Sequence, residues 1–219
     1  MKKVDLKPLK QHISNFLGSK ASTRKLILVR SAESQGNLSG TITGWMDVRL
    51  TDFGRKQSFV VNQVYEEQFT SVHSSDLKRC KDTAFYALGF PSDDDTLIKL
   101  SKNLREMHFG GQEGLHYDNL SPEEKKKLSD PEYQAPGGEN WPQVRRRAQE
   151  LFRTFGTGNH LVFTHGGLMT SYLYSAGLHQ MPNNCSFVGV NLKDGKGDDL
   201  GEFKDLAFVW EFPYIEEDI

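Results

Sequence analysis

The sequence predicts an α/β fold, a three-layer α/β/α sandwich built around a mostly parallel sheet. Short apolar runs that are typical of buried strands alternate along the chain with amphipathic stretches that are typical of helices. This alternation favours parallel strands joined by helices that pack on both faces of one sheet. Several predicted strands end in polar or charged residues, and ligands of open α/β sheets bind at that edge.

The composition is that of an ordinary globular chain. Of its 219 residues, 37% are hydrophobic and 26% are charged, and the net charge is −2. This balance gives no reason to expect nucleic acid as a partner, and no apolar run approaches the ~20 residues that a membrane span needs. The two cysteines, Cys80 and Cys185, are too few for a disulfide framework or a metal cluster. We therefore expect reduced thiols in a cytoplasmic protein without a metal or another cofactor.

Three segments are expected: a basic extension at residues 1–24, a single domain at 25–212 and an acidic tail at 213–219. Apolar residues of the extension recur at helical spacing and would share one helix face. They are Leu6, Leu9, Ile13, Phe16 and Leu17. Three interpretations remain open: a helix docked on the domain, a helix that faces a protein partner or a membrane, and a mitochondrial presequence. The third would make the protein mitochondrial rather than cytoplasmic.

The first strand of the domain, at residues 25–29, is followed by Arg30 and by a polar stretch that reaches Asn37. A buried strand does not end in a charge without a reason, so Arg30 predicts a role at the edge of the sheet. Thr51 is then expected to cap a helix. The apolar stripe of that helix consists of Phe53, Val60, Val61 and Val64.

A second strand is predicted at residues 69–75 and a third at 96–100, the latter leading to Glu106. The helix after the second strand carries Arg79 in its first turn. A helix N-terminus with an added guanidinium group suits a phosphate dianion. The residues that this helix is expected to bury are Leu77, Cys80, Ala84 and Leu88.

Two further helices follow. Ser121 and Pro122 begin the first of them, with a cap and a proline at the first helical position, and a break at residues 136–139 precedes the second. The apolar residues of the second helix are Val144, Ala148, Leu151, Phe152 and Phe155. Its three consecutive arginines are expected to lie mostly on the solvated face. They are Arg145, Arg146 and Arg147.

A later strand, at residues 160–164, ends in His165 and two glycines before another helix. Because Arg30 and Arg79 follow strands in the same way, we expect His165 to face the same site. Two closing strands complete the predicted sheet, at residues 186–192 and 207–212.

These stretches resemble the motifs of the histidine phosphatase superfamily, also called the phosphoglycerate mutase-like family. The first motif of that family is Arg-His-Gly after a strand with an Asn a few residues on, and Arg30 and Asn37 match it. Ser31 stands where the family has its nucleophilic histidine, and Ala32 stands where it has glycine. The added Cβ of Ala32 is expected to narrow the pocket or to restrict the turn.

Three later stretches resemble the other motifs of this family. Arg79 matches the arginine of Ser-Asp-Leu-x-Arg, and His165 matches the second histidine, which precedes Gly-Gly. Glu106 matches the glutamate that exchanges a proton with the leaving group. The resemblance implies a phosphoglycerate mutase-like fold over most of the chain. The phosphate-binding residues that it implies are Arg30, Asn37, Arg79, His165 and Gly166.

Three functions remain open. The first is a catalytically impaired pseudoenzyme that binds phosphate or a phosphorylated small molecule, or serves as an assembly subunit, since a serine hydroxyl is a poor nucleophile without an activating base or metal. The second is an active phosphomonoesterase, sugar bisphosphatase or phosphoglycerate mutase-type enzyme that works without the usual phosphohistidine, through Ser31, a displaced histidine or water. The third is a structural protein with a vestigial pocket, whose N-terminal helix carries the function.

Overall fold

A six-stranded mixed sheet forms the centre of the computed structural model, which describes residues 5–62, 69–89, 97–193 and 202–213. The strands are β1 (Arg24–Arg30), β2 (Ser71–Ser75), β3 (Ile98–Ser101), β4 (Gly158–Thr164), β5 (Phe187–Leu192) and β6 (Phe203–Trp210). They lie in the order β3-β2-β4-β1-β5-β6, and the strands from β3 to β1 are parallel. β5 runs antiparallel to both of its neighbours. The predicted, mostly parallel sheet is confirmed.

Helices cover both faces of this sheet. Within the described residues they are α1 (Lys7–Gly18), α2 (Gln35–Leu38), α3 (Asp52–Asn62), α4 (Lys78–Leu88), α5 (Pro122–Leu128), α6 (Trp141–Phe152) and α7 (Gly166–Ser175). α1, α3 and α4 bury apolar side chains in one core cluster, and α6 and α7 do so in a second cluster. Ile27 of β1 belongs to the first cluster and Leu28 to the second, because successive strand residues point to opposite faces. This is the predicted three-layer sandwich.

Local signals explain where two of the helices begin. The main-chain N–H of Gly54 donates to Thr51 Oγ1 (2.9 Å), which confirms Thr51 as the cap of α3. At α5, the Ser121 hydroxyl accepts from the N–H of Glu124, and the Glu124 carboxylate accepts from the N–H of Ser121. This reciprocal capping box is the predicted helix start.

Several predicted strand boundaries were wrong by one to four residues. The second strand begins at Ser71 rather than at residue 69, and the strand predicted at residues 160–164 begins at Gly158. The last strand is Phe203–Trp210 rather than 207–212, because its pairing with β5 continues through two register shifts. The third strand is Ile98–Ser101 rather than 96–100. Predicted positions that lie outside the described residues are Val64, Thr96 and the tail residues 214–219.

α1 lies docked on the domain. Ile13 and Phe16 are buried in the core cluster that α1 shares with β1 and α4. The Lys25 ammonium group, at the start of β1, donates to the Leu17 carbonyl (2.7 Å), which satisfies a group that the helix end leaves free. The apolar face that would bind a partner is thus covered, and a partner at residues 1–24 stays a prediction. No helix in the described ranges combines the length and hydropathy needed to cross a bilayer.

Candidate functional site

Three of the predicted site residues lie at the same edge of the sheet. β1 ends at Arg30, opposite Thr164 of the parallel strand β4, and His165 follows Thr164 directly. β2 lies on the other side of β4 and leads into α4, which has Arg79 in its first turn. The carboxyl ends of parallel strands therefore bring these residues together. They are close enough that the charge of Arg79 acts on Arg30 and the charges of both arginines act on His165.

Main-chain carbonyls hold both guanidinium groups in place. Arg30 donates through Nη1 to the carbonyl of Pro182. Arg79 donates through Nη2 to the carbonyl of Gly44 (2.7 Å) and through Nη1 to another carbonyl of the same loop (2.9 Å). Burial lowers the pKa of each arginine, and the carboxylate of Glu106 opposes that shift. Each guanidinium group has further N–H donors, so both can donate to a bound anion as well.

The His165 ring is buried and makes no hydrogen bond to a described residue. Only 1% of the residue is exposed, and both ring nitrogens lack a partner among the described residues. Burial, followed by the charges of Arg79, Arg147 and Arg30, lowers the pKa of His165 well below its ordinary value. The imidazole is therefore neutral near pH 7. An unsatisfied buried polar group costs about 1–3 kcal/mol, and a ligand that supplied the missing bond would remove this cost.

The Glu106 carboxylate lies at the N-terminus of α7. Its Oε2 accepts from the N–H of Gly167 (3.1 Å), and its Oε1 accepts from the N–H of Met107 (2.8 Å). Negative charge is favourable at this end of a helix. Glycines make room for the charged groups: a Cβ on Gly167 would lie 2.3 Å from Glu106 Oε1, and one on Gly166 would lie 3.1 Å from Arg30 Nε.

Ser31 is buried at the tip of β1, and no described residue is hydrogen-bonded to its hydroxyl group. Its N–H donates to the Thr164 carbonyl (2.8 Å), and its carbonyl accepts from Asn184 Nδ2 (2.8 Å). The hydroxyl makes no hydrogen bond to a described residue, and the unpartnered ring of His165 does not accept from it. A serine nucleophile needs a base within hydrogen-bond reach, and these residues provide none.

The surroundings of Ala32 contradict the expectation that its Cβ narrows the pocket or restricts the turn. The residue is fully buried in the core cluster, together with Leu50 and Ala84, and its N–H donates to Thr83 Oγ1 (3.0 Å). Among the described residues other than glycine, only Cys185 has a positive φ. The Cβ of Ala32 therefore packs in the core without narrowing the site, and its backbone needs no glycine.

Asn37 lies at the rim of the same edge, in α2. Its Oδ1 accepts from the N–H and the hydroxyl group of Ser34 (3.0 and 2.9 Å), and this contact caps α2. The amide of Asn184 approaches the same oxygen at 3.5 Å. The carboxamide oxygen of Asn37 is thus engaged, and its NH2 group is the part that remains for a ligand.

The prediction that the three arginines of α6 lie mostly in solvent was wrong. Arg146 is exposed, but Arg145 donates to the Ser171 carbonyl (2.8 Å) and Arg147 is half-buried. Successive helix residues point about 100° apart, so three arginines in a row cannot share one solvated face.

Arg147 supports the loop that carries Glu106, and the sequence analysis missed this role. It binds both carboxylate oxygens of Glu139 (2.8 and 3.0 Å) and donates to the carbonyls of Asn103 (2.9 Å) and Glu106 (2.8 Å). A signal was present, because Arg147 is three residues after the buried Val144 and therefore lies on the same helix face.

A cleft of about 460 Å³ opens beside these residues, with Arg30 and Glu106 in its lining. Two loops, at residues 36–44 and 106–117, form much of the other walls, and α5, α6 and α7 contribute further lining residues. Main-chain hydrogen bonds join the two loops. The N–H of Ile42 donates to the carbonyl of Leu115 (2.9 Å), and the N–H of Tyr117 donates to the carbonyl of Gly40 (2.8 Å). The volume is within the ~300–1,000 Å³ that is typical of ligand sites. Among residues 5–62, 69–89, 97–193 and 202–213, no three His, Cys, Asp or Glu side chains converge as metal ligands would.

Fold and site together define an α/β protein with an edge suited to an anion. Two guanidinium groups and a neutral imidazole lie at these strand tips, and guanidinium groups suit phosphate-like ligands. The chain belongs to the histidine phosphatase superfamily, since the model of branch 1 of this superfamily matches residues 26–197.

Individual relatives agree with this assignment. The chain is 31% identical over 170 residues to phosphoglycerate mutase-like protein 4 of Arabidopsis thaliana, which covers 72% of this chain and 73% of that protein. A 96-residue stretch is 36% identical to the 2,3-bisphosphoglycerate-dependent phosphoglycerate mutase of Xylella fastidiosa (strain M12), which covers 42% of this chain and only 39% of that enzyme.

Solved structures confirm the fold. The crystal structure of phosphoglycerate mutase from Thermus thermophilus superposes with a TM-score of 0.66 at 31% identity, over 76% of this chain and 92% of that chain. The mycobacterial glucosyl-3-phosphoglycerate phosphatase in complex with VO3 also has a TM-score of 0.66, over 77% of this chain and 92% of that chain. Its identity is 24%, so this second likeness concerns the fold alone.

Proposed function

We propose that this protein is a catalytically impaired histidine phosphatase that binds phosphate or a phosphorylated small molecule and acts as a binding protein or an assembly subunit. The main support for this proposal comes from the surroundings of the Ser31 hydroxyl group. No described residue accepts a hydrogen bond from this hydroxyl group, while Arg30 and His165 lie at the same strand tips. A site that keeps its positively charged groups but lacks an activated nucleophile favours binding of a phosphorylated ligand over hydrolysis of that ligand.

The charges at the edge support binding. Arg79 is buried and Arg30 is partly buried, and among the described residues Glu106 is the carboxylate whose charge offsets them most. A phosphate dianion would balance the second positive charge and accept charge-assisted hydrogen bonds from both arginines. It would also give the ring of His165 the partner that it lacks.

The chemistry at position 31 supports impairment. The resemblance implies that a histidine nitrogen attacks phosphorus while the bond to the leaving oxygen breaks and Glu106 supplies the proton. Ser31 would first have to lose its own proton, and no described base is bonded to its hydroxyl. By analogy with protease triads, loss of a nucleophile from an organised site reduces the rate by up to about a millionfold.

Thermal unfolding with inorganic phosphate or vanadate tests the binding half of the proposal. We expect both anions to raise the Tm of the wild type, since a ligand of the folded state stabilises it. Ser31→Asp places a carboxylate beside Arg30 and should abolish this rise, whereas the matched variant Ser31→Ala should keep it. Absence of any rise in the wild type would contradict binding and favour a vestigial site.

Hydrolysis of p-nitrophenyl phosphate tests the other half. We expect wild-type turnover close to the uncatalysed rate. Ser31→His, made alone and with Ala32→Gly, should raise turnover at least about a hundredfold and give an acid-labile phosphohistidine. Wild-type turnover comparable to that of the Thermus thermophilus relative would overturn the impairment.

The neutral ring of His165 favours a second candidate, an active phosphomonoesterase or mutase-type enzyme without the usual phosphohistidine. A buried, unprotonated imidazole can take a proton from a water molecule that attacks phosphorus. This candidate predicts turnover that survives Ser31→Ala and is lost in His165→Gln. The same pair of variants thus separates it from the impaired protein.

A further inference from the structure

We propose that the organic group of the ligand is uncharged and apolar, so that the protein binds a phosphomonoester of an aromatic or aliphatic alcohol rather than a phosphorylated acid or a bisphosphate. This inference rests on the proposed function, because it assumes that a phosphate group occupies the edge near Arg30. It concerns the other walls of the cleft, which decide what accompanies the phosphate.

Apolar side chains supply the larger part of the exposed area of these walls, and the polar side chains of Asn37, Thr41, Thr43 and Thr170 also line the cleft. Aromatic residues come from three separate segments, so an apolar group in the cleft would be contacted from several sides. The apolar and aromatic residues in the lining are Ile42, Met107, Phe109, Tyr117, Leu128, Trp141 and Met181. Tyr117 and Met181 are 44% and 56% exposed, and a bound apolar group would remove part of this surface from water.

Positive charge is scarce in the same lining. Arg30 is the one lysine or arginine that lines the described part of the cleft. A carboxylate or a second phosphate on the ligand would therefore be desolvated without a counter-charge, and this is costly.

Cations close to the cleft are already engaged. The Lys125 ammonium group lies 5.2 Å from the centre of the Tyr117 ring and contacts the Asp118 carbonyl (3.4 Å). The Arg105 guanidinium group binds both carboxylate oxygens of Asp76 (2.7 and 2.6 Å). Neither group is in the lining, so neither offers a second anion site there.

The walls are also well ordered by contacts of their own. Glu113 Oε1 accepts from the N–H of Trp45 (2.9 Å) and from that of Phe109 (3.0 Å), and so connects the two loops that face each other. Gly44, which has a φ of +45°, leaves room for this carboxylate. A preformed apolar wall reduces the ordering cost of binding an apolar group.

Titration calorimetry with four ligands tests the inference: inorganic phosphate, phenyl phosphate, 3-phosphoglycerate and fructose 1,6-bisphosphate. We expect phenyl phosphate to bind at least about tenfold more tightly than inorganic phosphate, and the two multiply charged ligands to bind no more tightly than inorganic phosphate. Tighter binding of either multiply charged ligand would overturn the inference while leaving the proposed function intact. Failure of all four ligands to bind would instead contradict the proposed function.

Variants of the lining residues Leu128 and Ser129 test where the organic group lies. Leu128→Glu should weaken phenyl phosphate about tenfold and leave inorganic phosphate unchanged, whereas Leu97→Glu, at an exposed leucine outside the cleft, should change neither. Ser129→Lys adds a cation at an exposed position of the lining and should increase the affinity for 3-phosphoglycerate. Equal effects of the two leucine variants, or an unchanged preference in Ser129→Lys, would contradict the proposed position of the organic group.

Discussion

The Glu106 carboxylate accepts a hydrogen bond from the main-chain N–H of Gly167 at 3.1 Å, across 61 residues of sequence. The contact joins the segment after β3 to the first turn of α7, directly beside His165. It therefore couples the position of the predicted proton-transfer group to the strand tip that carries the histidine.

Gly167→Ala should displace the Glu106 carboxylate while the fold is retained. The new Cβ would lie 2.3 Å from Oε1, which is the end of a flexible side chain and can move. We expect the free energy of unfolding to fall by about 1–2 kcal/mol, since two main-chain N–H groups lose a charged acceptor. Urea unfolding measures this. Gly111→Ala, whose Cβ would meet nothing within 4 Å, is the matched control, and an equal loss in both variants would contradict the expectation.

Arg147→Met should destabilise the domain far more than the neighbouring variant Arg146→Met. Arg147 neutralises Glu139 and donates to two main-chain carbonyls, whereas Arg146 is exposed. Removing one partner of a partly buried ion pair leaves the other charge uncompensated, so we expect a loss of about 2–4 kcal/mol for Arg147→Met and less than about 0.5 kcal/mol for the control. Chemical denaturation of both variants provides the measurement, and similar values would show that Arg147 has no supporting role.

Phe16→Ala should reveal that α1 is part of the core. Phe16 is 5% exposed and packs with Ile13 in the cluster on that face of the sheet. Truncation of a buried phenylalanine costs about 3–5 kcal/mol, and the exposed Lys10→Ala on the same helix should cost almost nothing. If both variants unfold at the wild-type temperature, α1 does not stabilise the domain, and a partner-facing helix would regain support.

At the opposite edge of the sheet, His73, Ser71 and His160 form a row of hydrogen bonds in which the donor and acceptor of each bond can be assigned. Ser71 Oγ lies 2.8 Å from His73 Nε2 and 2.8 Å from His160 Nδ1, and His160 Nε2 lies 2.9 Å from the Gly156 carbonyl. A carbonyl only accepts, so His160 carries a proton on Nε2. Burial lowers the pKa of both histidines, so both rings are neutral near pH 7. Ser71 then donates to His160 Nδ1 and accepts from His73 Nε2.

This row of hydrogen bonds predicts a loss of stability in mild acid. Burial, followed by the like charges of His160 and Lys99, lowers the pKa of His73 from 6.5 to about 4. Between these two values the unfolded chain binds more protons than the folded chain, so the free energy of unfolding decreases as the pH falls. The contribution is complete above about pH 6.5 and is lost towards pH 4.

Urea unfolding at several pH values between 7.5 and 4.5 measures this dependence. His73→Gln should make the profile less steep, because one of the buried histidines with a lowered pKa is removed while His160 and His165 remain. The exposed His12→Gln should leave the profile unchanged. A wild-type stability that stays constant down to pH 4.5 would contradict the direction assigned to His73.

Much of the site could be predicted from the sequence, because the residue patterns that indicate it lie within short segments. Arg30, Arg79 and His165 each follow a predicted strand, and strands joined by helices are parallel, so their carboxyl ends share an edge. The cap of α3 at Thr51 was predictable for the same reason, since it depends on residues three positions apart. Arg147 was missed, because its partners Glu139 and Glu106 lie in loops whose path the sequence does not specify.

The sequence alone determined the three-layer sandwich and the identity of the groups at the strand tips, because hydrophobic periodicity and residue type are properties of short segments. Only the tertiary structure decided that the Cβ of Ala32 packs in the core, that the Ser31 hydroxyl has no base and that the ring nitrogens of His165 are unpartnered among the described residues. These depend on contacts between residues far apart in the chain, and the packing of whole helices and loops sets the distances between such residues.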